Sequence, residues 1–569
     1  MAVSDALARM YALVDDLRAG KTSVTEHSLA VYGLLLEGSH TPRQVQTDLL
    51  LTLLAEARDT EIGRTCGFAG IDSIEAFRRQ VPVHLYEDLR PFIERMCNGE
   101  PDVLLHGLPG FVAQTSGTTG SPKLVPWPPT LDHEFLPFLF ASFGAVETRF
   151  PGALTGRQMI LSRFIEGHTA AGIPVGSASG YVRNLNESIP GMARVPGIVF
   201  DEQRFAVRYY AMLLYMLSQP LAWLAVLNPS TLLTFIEQLD LFGPALAQDL
   251  AAGTWTHGPD GIDDVMRVAS AQQPLVPAPE RAARMRDSLA RDKRVNLEEV
   301  CPELRVLTMW KGGNAKHYLA QVRARLPTCE IRSEVSGSSE GALLIPLDDR
   351  TEGGVPALFS TFIEFLPAEL EPSPEAFHDI EELKPEQGYR FVVTNRRSMY
   401  RLLQDDVFFL ERYEGRTPVL RFSHRHGMQS SITGEKLTEW QIIEAVQAAE
   451  AQSGLAALDY QARPEWGEPP GYVMFLELDA PADDKLQRFV IALEHKLHEL
   501  NLEYASKRSS SRLAAMSLIV LARGELREWQ KHELAASGKS DAQAKIPRLR
   551  RDLWTASAEH RRIRLQRDG

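Results

Sequence analysis

The sequence predicts a large N-terminal α/β domain followed by a small α+β domain, and three observations carry the prediction. First, residues 105–345 alternate short apolar runs with helical stretches, as in "LRVLTMW" followed by "NAKHYLAQVRARL". That is the rhythm of parallel-rich α/β layers. Second, residues 355–425 hold "ALFSTFIEFL", "YRFVVTN", "DDVFFLERY" and "PVLRFSHR" between turn residues, which predicts a barrel-like or antiparallel subdomain. Third, beyond residue 430 the chain reads helix, strand, helix, strand in "WQIIEAVQAAEAQ", "GYVMFLELDA", "KLQRFVIALEHKLHEL" and "RLAAMSLIVLA". The polar, glycine-bearing "HGMQSSITGE" at 426–435 is the expected hinge, so the expected domains are 1–428 and 429–569. A chain of 569 residues has room for both, at about 100–200 residues per domain.

Taken in order from the N-terminus, residues 1–100 read as mostly helical, with Asp72 or Ser73 as the N-cap of "IDSIEAFRRQVPV". The first twenty residues carry Asp5, Asp15 and Asp16, where a signal peptide would have a basic start and an apolar middle. "YYAMLLYMLSQPLAWLAVL", residues 209–227, approaches bilayer length. Ser218, Gln219 and Pro220 interrupt it, so it predicts a buried helix, a turn and a buried strand. "EHKLHEL", with His495 and His498, lacks the H-E-x-x-H order and reads as an exposed helix face. The basic tail from Arg548 to Arg567 reads as a solvated helix. A net charge of −13, from 61 basic and 74 acidic side chains, argues against a nucleic-acid binder. The four cysteines form no C-x-x-C pair, so neither a zinc site nor a disulfide scaffold is indicated, and a reduced, cytoplasmic setting is expected.

Three stretches carry chemistry. "AQTSGTTGSPKLVPW", residues 113–127, packs Thr115, Ser116, Gly117, Thr118, Thr119, Gly120 and Lys123 into one turn. Glycine lets a backbone approach an anion, hydroxyls and N–H groups make a nest, and lysine adds a point charge. The spacing is not that of a Walker A loop. Phosphate binding and a plain Ser/Thr-rich turn both remain open on this loop alone. In "SGSSEGALLIPL", Gly337-Ser338-Ser339-Glu340-Gly341 fits G-x-S-x-G. A nucleophile elbow needs a helix after the turn, and "ALLIPL" is β-like. Glu340 can instead hold Mg²⁺ beside a triphosphate, because Mg²⁺ takes few carboxylates plus phosphate oxygens. In "MYRLLQDDVFF", Asp405 and Asp406 stand where one strand gives way to another. A carboxylate there can accept from ribose hydroxyls or form a solvated acidic turn.

Together these motifs resemble the adenylate-forming superfamily and, more narrowly, the auxin-responsive acyl acid amido synthetases. "VPVHLYEDLRPFIERMCNGE" at 81–100, "MWKGGNAKHY" at 309–318, "EFLP" at 364–367, "GEKLTE" at 434–439, "LNLEYASKRSSSRL" at 500–513 and "KIPR" at 545–548 are similar to that family's blocks, in the same order. Two departures stand out. Ser336 occupies the position of the family's tyrosine in Tyr-x-x-Ser-Glu. The family's Tyr-Arg-Tyr-Arg-x-Gly-Asp reads here Tyr400-Arg401-Leu402-Leu403-Gln404-Asp405-Asp406, with Asp406 still on the ribose position.

The resemblance implies a large adenylate-forming domain with a small mobile C-terminal lid, ATP as co-substrate, and Mg²⁺. It implies that residues 115–120 and Lys123 hold ATP phosphates. It places Gly312, Gly313, Ser336, Gly337, Ser338, Ser339, Asp406, Arg425 and Lys436 around the nucleotide, with Glu340 on the metal. Lys545 would act at the α-phosphate after the lid swings, and Phe140 and Phe143 would lie at the acyl pocket. The implied partners are a carboxylic acid and an amine or amino acid, with neither nucleic acid nor membrane involved, on a monomer or weak homodimer. Thioester formation is the close rival. A serine hydrolase using Ser339 and a non-catalytic nucleotide-binding protein are the others.

Overall fold

The computed structural model describes residues 5–114, 123–160, 164–312, 318–426, 429–433, 435, 437–479, 483–529, 547–550 and 562–563. The helical start is confirmed, and its caps are legible. Ser23 and Glu26 form a reciprocal capping box at the helix Val24–Gly38, and Ser73 accepts from the Ala76 amide to start Ile74–Gln80. Val24–Gly38 lies against the long helix Asp132–Arg149. Gly144 permits that approach, since a Cβ there would stand 2.2 Å from the Ser28 carbonyl oxygen.

The centre of the first unit is a parallel sheet in the order Arg157–Met159, Trp223–Ala225, Val306–Met309, Glu330–Ser333. Its two faces feed two cores, as buried parallel strands require. Trp223, Ala225 and Val306 face the Asp132–Arg149 side, while Leu224 and Leu307 face the helices Phe205–Leu217, Pro229–Ala252 and Ile262–Gln272. The apolar stretch 209–227 resolves as expected into the end of a buried helix, a turn and the strand Trp223–Ala225. No described helix is long and apolar enough to cross a membrane.

Two further sheets, of four and three strands, frame the polar stretches. Phe111–Gln114 pairs antiparallel with Leu124–Trp127, from Phe111↔Trp127 to Gln114↔Leu124, and so brackets residues 115–122. Ser336–Ser338 pairs antiparallel with Gly341–Ile345. Residues 355–425 give a four-stranded sheet in chain order, Phe362–Pro367, Gly388–Thr394, Leu402–Glu414 and Thr417–Arg425. One expectation is corrected here. Asp405 and Asp406 do not separate two strands but lie inside the 13-residue strand Leu402–Glu414, with Asp405 exposed and Val407 and Phe408 buried.

The chain divides into two compact units, the second comprising Ser423 onward together with Asp405–Val407. In that unit the helices Glu439–Ser453 and Asp483–Leu500 share a core with a sheet ordered Asp459–Glu465, Gly471–Glu477, Ser517–Leu521, Arg562–Ile563. The first of these strands is absent from the sequence reading, because its buried positions include Gln461 and Arg463, satisfied by the Pro547 carbonyl and by each other. The basic tail is corrected at two points. Arg548 is fully buried and ion-paired with Asp459, and Arg562–Ile563 pairs with Ser517–Leu521 as a strand.

Candidate active site

In open parallel sheets, ligands sit beyond the carboxyl ends of the strands. Here two such ends lead into predicted site segments: Val306–Met309 into Trp310-Lys311-Gly312, and Glu330–Ser333 into the hairpin at 336–345. The second exit is pinned by Glu334, only 5% exposed. Its carboxylate accepts from Thr308 Oγ1 at 2.7 Å and from the Val335 amide at 3.1 Å. Thr308 Oγ1 in turn accepts from Trp223 Nε1 at 2.9 Å.

The hairpin turn follows. Gly341 pairs with Ser338 and Ala342 with Gly337, so the G-x-S-x-G stretch runs strand–turn–strand. That geometry removes the serine hydrolase reading of Ser339, because no helix follows the serine as a nucleophile elbow requires. Three consecutive carbonyls of the turn accept from distant side chains. Ser338 O accepts from Arg397 Nη1 at 2.8 Å, Ser339 O from Trp127 Nε1 at 3.0 Å, and Glu340 O from Asn395 Nδ2 at 2.7 Å. Ser338 Oγ is buried with no hydrogen-bond partner among the described residues.

Tyr86 brings two predicted catalytic residues into one neighbourhood. Its hydroxyl both donates to the Leu124 carbonyl, at 3.0 Å, and accepts from the Leu124 amide, at 2.8 Å. Lys123 Nζ lies 5.0 Å from its ring centroid. Burial pushes the Tyr86 phenol up, and the charge of Glu340 adds to the shift. Tyr86 thus lies beside Lys123 and within reach of the Glu340 charge. A lone carboxylate fits Mg²⁺ delivered with a nucleotide, since that ion draws most of its ligands from phosphates and water. Among the described residues no group of three or more His, Cys, Asp and Glu could hold a metal by itself.

The helix Asp132–Arg149 carries its phenylalanines on two faces. Phe140 and Phe143 are core residues, 0% and 1% exposed, and Phe135 and Phe138 are nearly as buried, at 5% and 4%. Phe140 meets His27 edge-on at 4.7 Å, and Phe143 is covered by Trp223 and by the Arg157 guanidinium, 4.1 Å from its ring centre. The helix instead turns Phe138 toward the hairpin, where a Cβ on Gly337 would lie 3.4 Å from its ring. Phe135, Tyr181 and Trp127 continue that face as an aromatic wall, with Trp127 and Tyr181 edge-to-face at 4.8 Å. Helical periodicity separates 135 and 138 from 140 and 143 on their shared helix, a signal available in the sequence.

In the second unit, Asp406 faces Arg425 at 3.6 Å, both partly exposed. Glu435 is fully buried and accepts from the Ile432 and Thr433 amides at 2.7 and 2.8 Å and from the Tyr472 hydroxyl. Burial opposes its charge, but these bonds hold its carboxyl below the usual range. Gly312 is half-exposed just past its strand. Residues 115–120, Gly313, Lys436 and Lys545 lie outside the described residues.

Fold and site together define a two-unit α/β protein whose carbonyl-pinned turn stands beyond the carboxyl end of a parallel sheet. The chain belongs to the GH3 family: residues 34–331 match the GH3 family N-terminal domain, 355–425 the central domain and 440–553 the C-terminal domain. Among curated relatives, a probable indole-3-acetic acid-amido synthetase of Oryza sativa subsp. japonica is 25% identical, covering 89% of this chain and 90% of that protein. A jasmonoyl–L-amino acid synthetase of Nicotiana attenuata is 26% identical, covering 89% and 90%. The solved acyl acid amido synthetase AtGH3.15, in complex with 2,4-DB, superposes with a TM-score of 0.78 at 21% identity, over 92% of this chain and 94% of that one. That likeness establishes the fold.

Proposed function

We propose that the protein is an ATP-dependent acyl acid–amine ligase of the adenylate-forming kind. The observation that carries the reading is that all three GH3 domain models match in order. Relatives matched along nearly the whole chain are named amido and amino acid synthetases. In the first half-reaction a carboxylate oxygen attacks the α-phosphate of ATP, giving acyl-AMP and pyrophosphate. In the second, an amine attacks the acyl carbon, AMP leaves, and the amine proton passes to solvent as the amide forms.

The first step brings two anions together, so its barrier is largely electrostatic. Mg²⁺ bound with ATP would neutralise phosphate charge. Lys123 would supply a point charge and Glu340 would hold the ion, and residues 115–120 are the proposed phosphate-binding stretch. By the family resemblance Asp406 would take the ribose, and Gly312, Gly313, Ser336 to Ser339, Arg425 and Lys436 would be further nucleotide-binding residues. Lys545 meets the charge developing at the α-phosphate. Phe135, Phe138 and Tyr181 face the acyl group, a role first expected of Phe140 and Phe143.

The four cysteines are free and buried, and burial pushes the Cys301 and Cys329 thiols up to about 12. That supports a reduced cytoplasmic setting and leaves neither thiol to act as a nucleophile. The test is pyrophosphate release across a panel of carboxylic acids, then amide formation with each amino acid. Acid-dependent AMP formation that requires coenzyme A would establish the thioester route instead. Pyrophosphate release indifferent to every acid would reject adenylation.

A further inference from the structure

Arg397 is 1% exposed and its partner Glu134 is 0% exposed. Arg397 Nε donates to Glu134 Oε1 at 2.6 Å, and Arg397 Nη1 donates to Ser338 O at 2.8 Å and Ser339 O at 3.3 Å. The guanidinium carbon lies 4.6 Å from the Trp127 ring centre and 5.2 Å from that of Phe135. The backbone on either side is also tied in. The Arg396 amide donates to Glu134 Oε2 at 3.0 Å, and the Arg397 amide to Asn395 Oδ1 at 2.9 Å. One planar fork therefore joins three separate elements: the helix Asp132–Arg149, the aromatic wall and the 338–340 turn.

Stability alone does not call for this arrangement. A buried ion pair is replaceable by apolar side chains at little or no cost. Arg397 also leaves Nη2 buried without a hydrogen bond among the described residues, itself unfavourable. What the fork does achieve is a fixed direction for two carbonyls directly before Glu340, which a flexible lysine could not hold together.

We propose that Arg397 is a positioning residue, which orients the Ser338-Ser339-Glu340 turn so that the turn meets Mg·ATP without rearranging. The proposal rests on the ligase reading above. With the turn already oriented, binding need not supply the free energy of ordering it, so loss of Arg397 falls on nucleotide affinity first. Glu134 is its counter-charge and sets the angle of the fork.

The experiment uses the full chain with two variants, Arg397→Lys and the charge-free double variant Glu134→Leu with Arg397→Met. The double variant strands no buried charge, so it remains informative if the lysine variant fails to fold. Mg·ATP affinity is measured by titration calorimetry, the KM for the carboxylic acid by pyrophosphate release, and folding by thermal melting. Both variants should weaken Mg·ATP about tenfold, the size of one lost charge-assisted hydrogen bond. The KM for the acid should move less than about twofold, and each variant should still unfold in a single cooperative transition. Wild-type Mg·ATP affinity in either folded variant would overturn the proposal. So would equal losses in both constants with a lowered melting temperature, which would make Arg397 a structural support only. If the unaltered protein itself fails to bind Mg·ATP, the ligase reading falls, and the role of Arg397 falls with it.

Discussion

His27 should make the first unit acid-sensitive, and the size of the effect follows from its surroundings. The imidazole is 0% exposed and packs edge-on against Phe140. Burial pulls its pKa down from 6.5 to about 4, with the Leu13 backbone only partly opposing. In the unfolded chain His27 takes a proton near pH 6.5, while in the folded chain it refuses that proton until about pH 4. The folded state therefore bears no cost above pH 6.5 and loses stability as pH falls from 6.5 toward 4. At 1.36 kcal/mol per pH unit the full loss is about 3 kcal/mol, of which about 2 is already lost at pH 5. His27→Leu keeps an apolar side chain in the pocket and removes the titration. Urea unfolding followed at pH 7.5 and pH 5 should show wild type losing about 2 kcal/mol more than the variant over that interval. Parallel losses in the two proteins would mean that the buried imidazole is already protonated, or that its pocket opens before it titrates.

Further outcomes follow from the site and the packing. Glu340→Gln should slow acyl-AMP formation about 10²-fold, with partial recovery in excess Mg²⁺; a normal rate at limiting Mg²⁺ would remove Glu340 from the metal. Lys545→Ala should cut acid-dependent pyrophosphate release by orders of magnitude yet leave amide formation from pre-made acyl-AMP much less affected, and equal losses in both steps would assign it to both. Gly144→Ala should destabilise the fold by about 1–3 kcal/mol, because the new methyl meets the Ser28 carbonyl; an unchanged unfolding midpoint would mean the two helices separate without cost.

The parts of the fold visible in the sequence are those written in local pattern. The Ser73 cap, the broken apolar stretch at 209–227 and the strand–turn–strand form of 336–345 each depend on neighbours within a few positions. For the candidate site, contiguous motifs such as those holding Lys123 and Glu340 are what the sequence offers as proposals. What stayed hidden depends on contacts remote in sequence. Glu134 and Arg397 are 263 residues apart, and Arg397 alone reads as one more surface arginine. The strand Asp459–Glu465 was masked by polar side chains satisfied only in three dimensions, and Arg548 read as solvated for the same reason. Phe140 and Phe143 show a different limit. Composition marks the helix as aromatic-rich, but only its packing against Val24–Gly38 and Trp223 decides which face is sealed.

The pairing that brackets residues 115–122 has an evolutionary reading. Gln114 and Leu124 stand opposite each other in one antiparallel ladder, and the Tyr86 hydroxyl clamps both polar groups of Leu124. The two strand ends that flank the intervening stretch are thus tied to each other and, through Leu124, to Tyr86. The ladder ends Gln114 and Leu124 and the Tyr86 clamp on Leu124 are therefore positions where a lineage, or a laboratory selection, has little freedom.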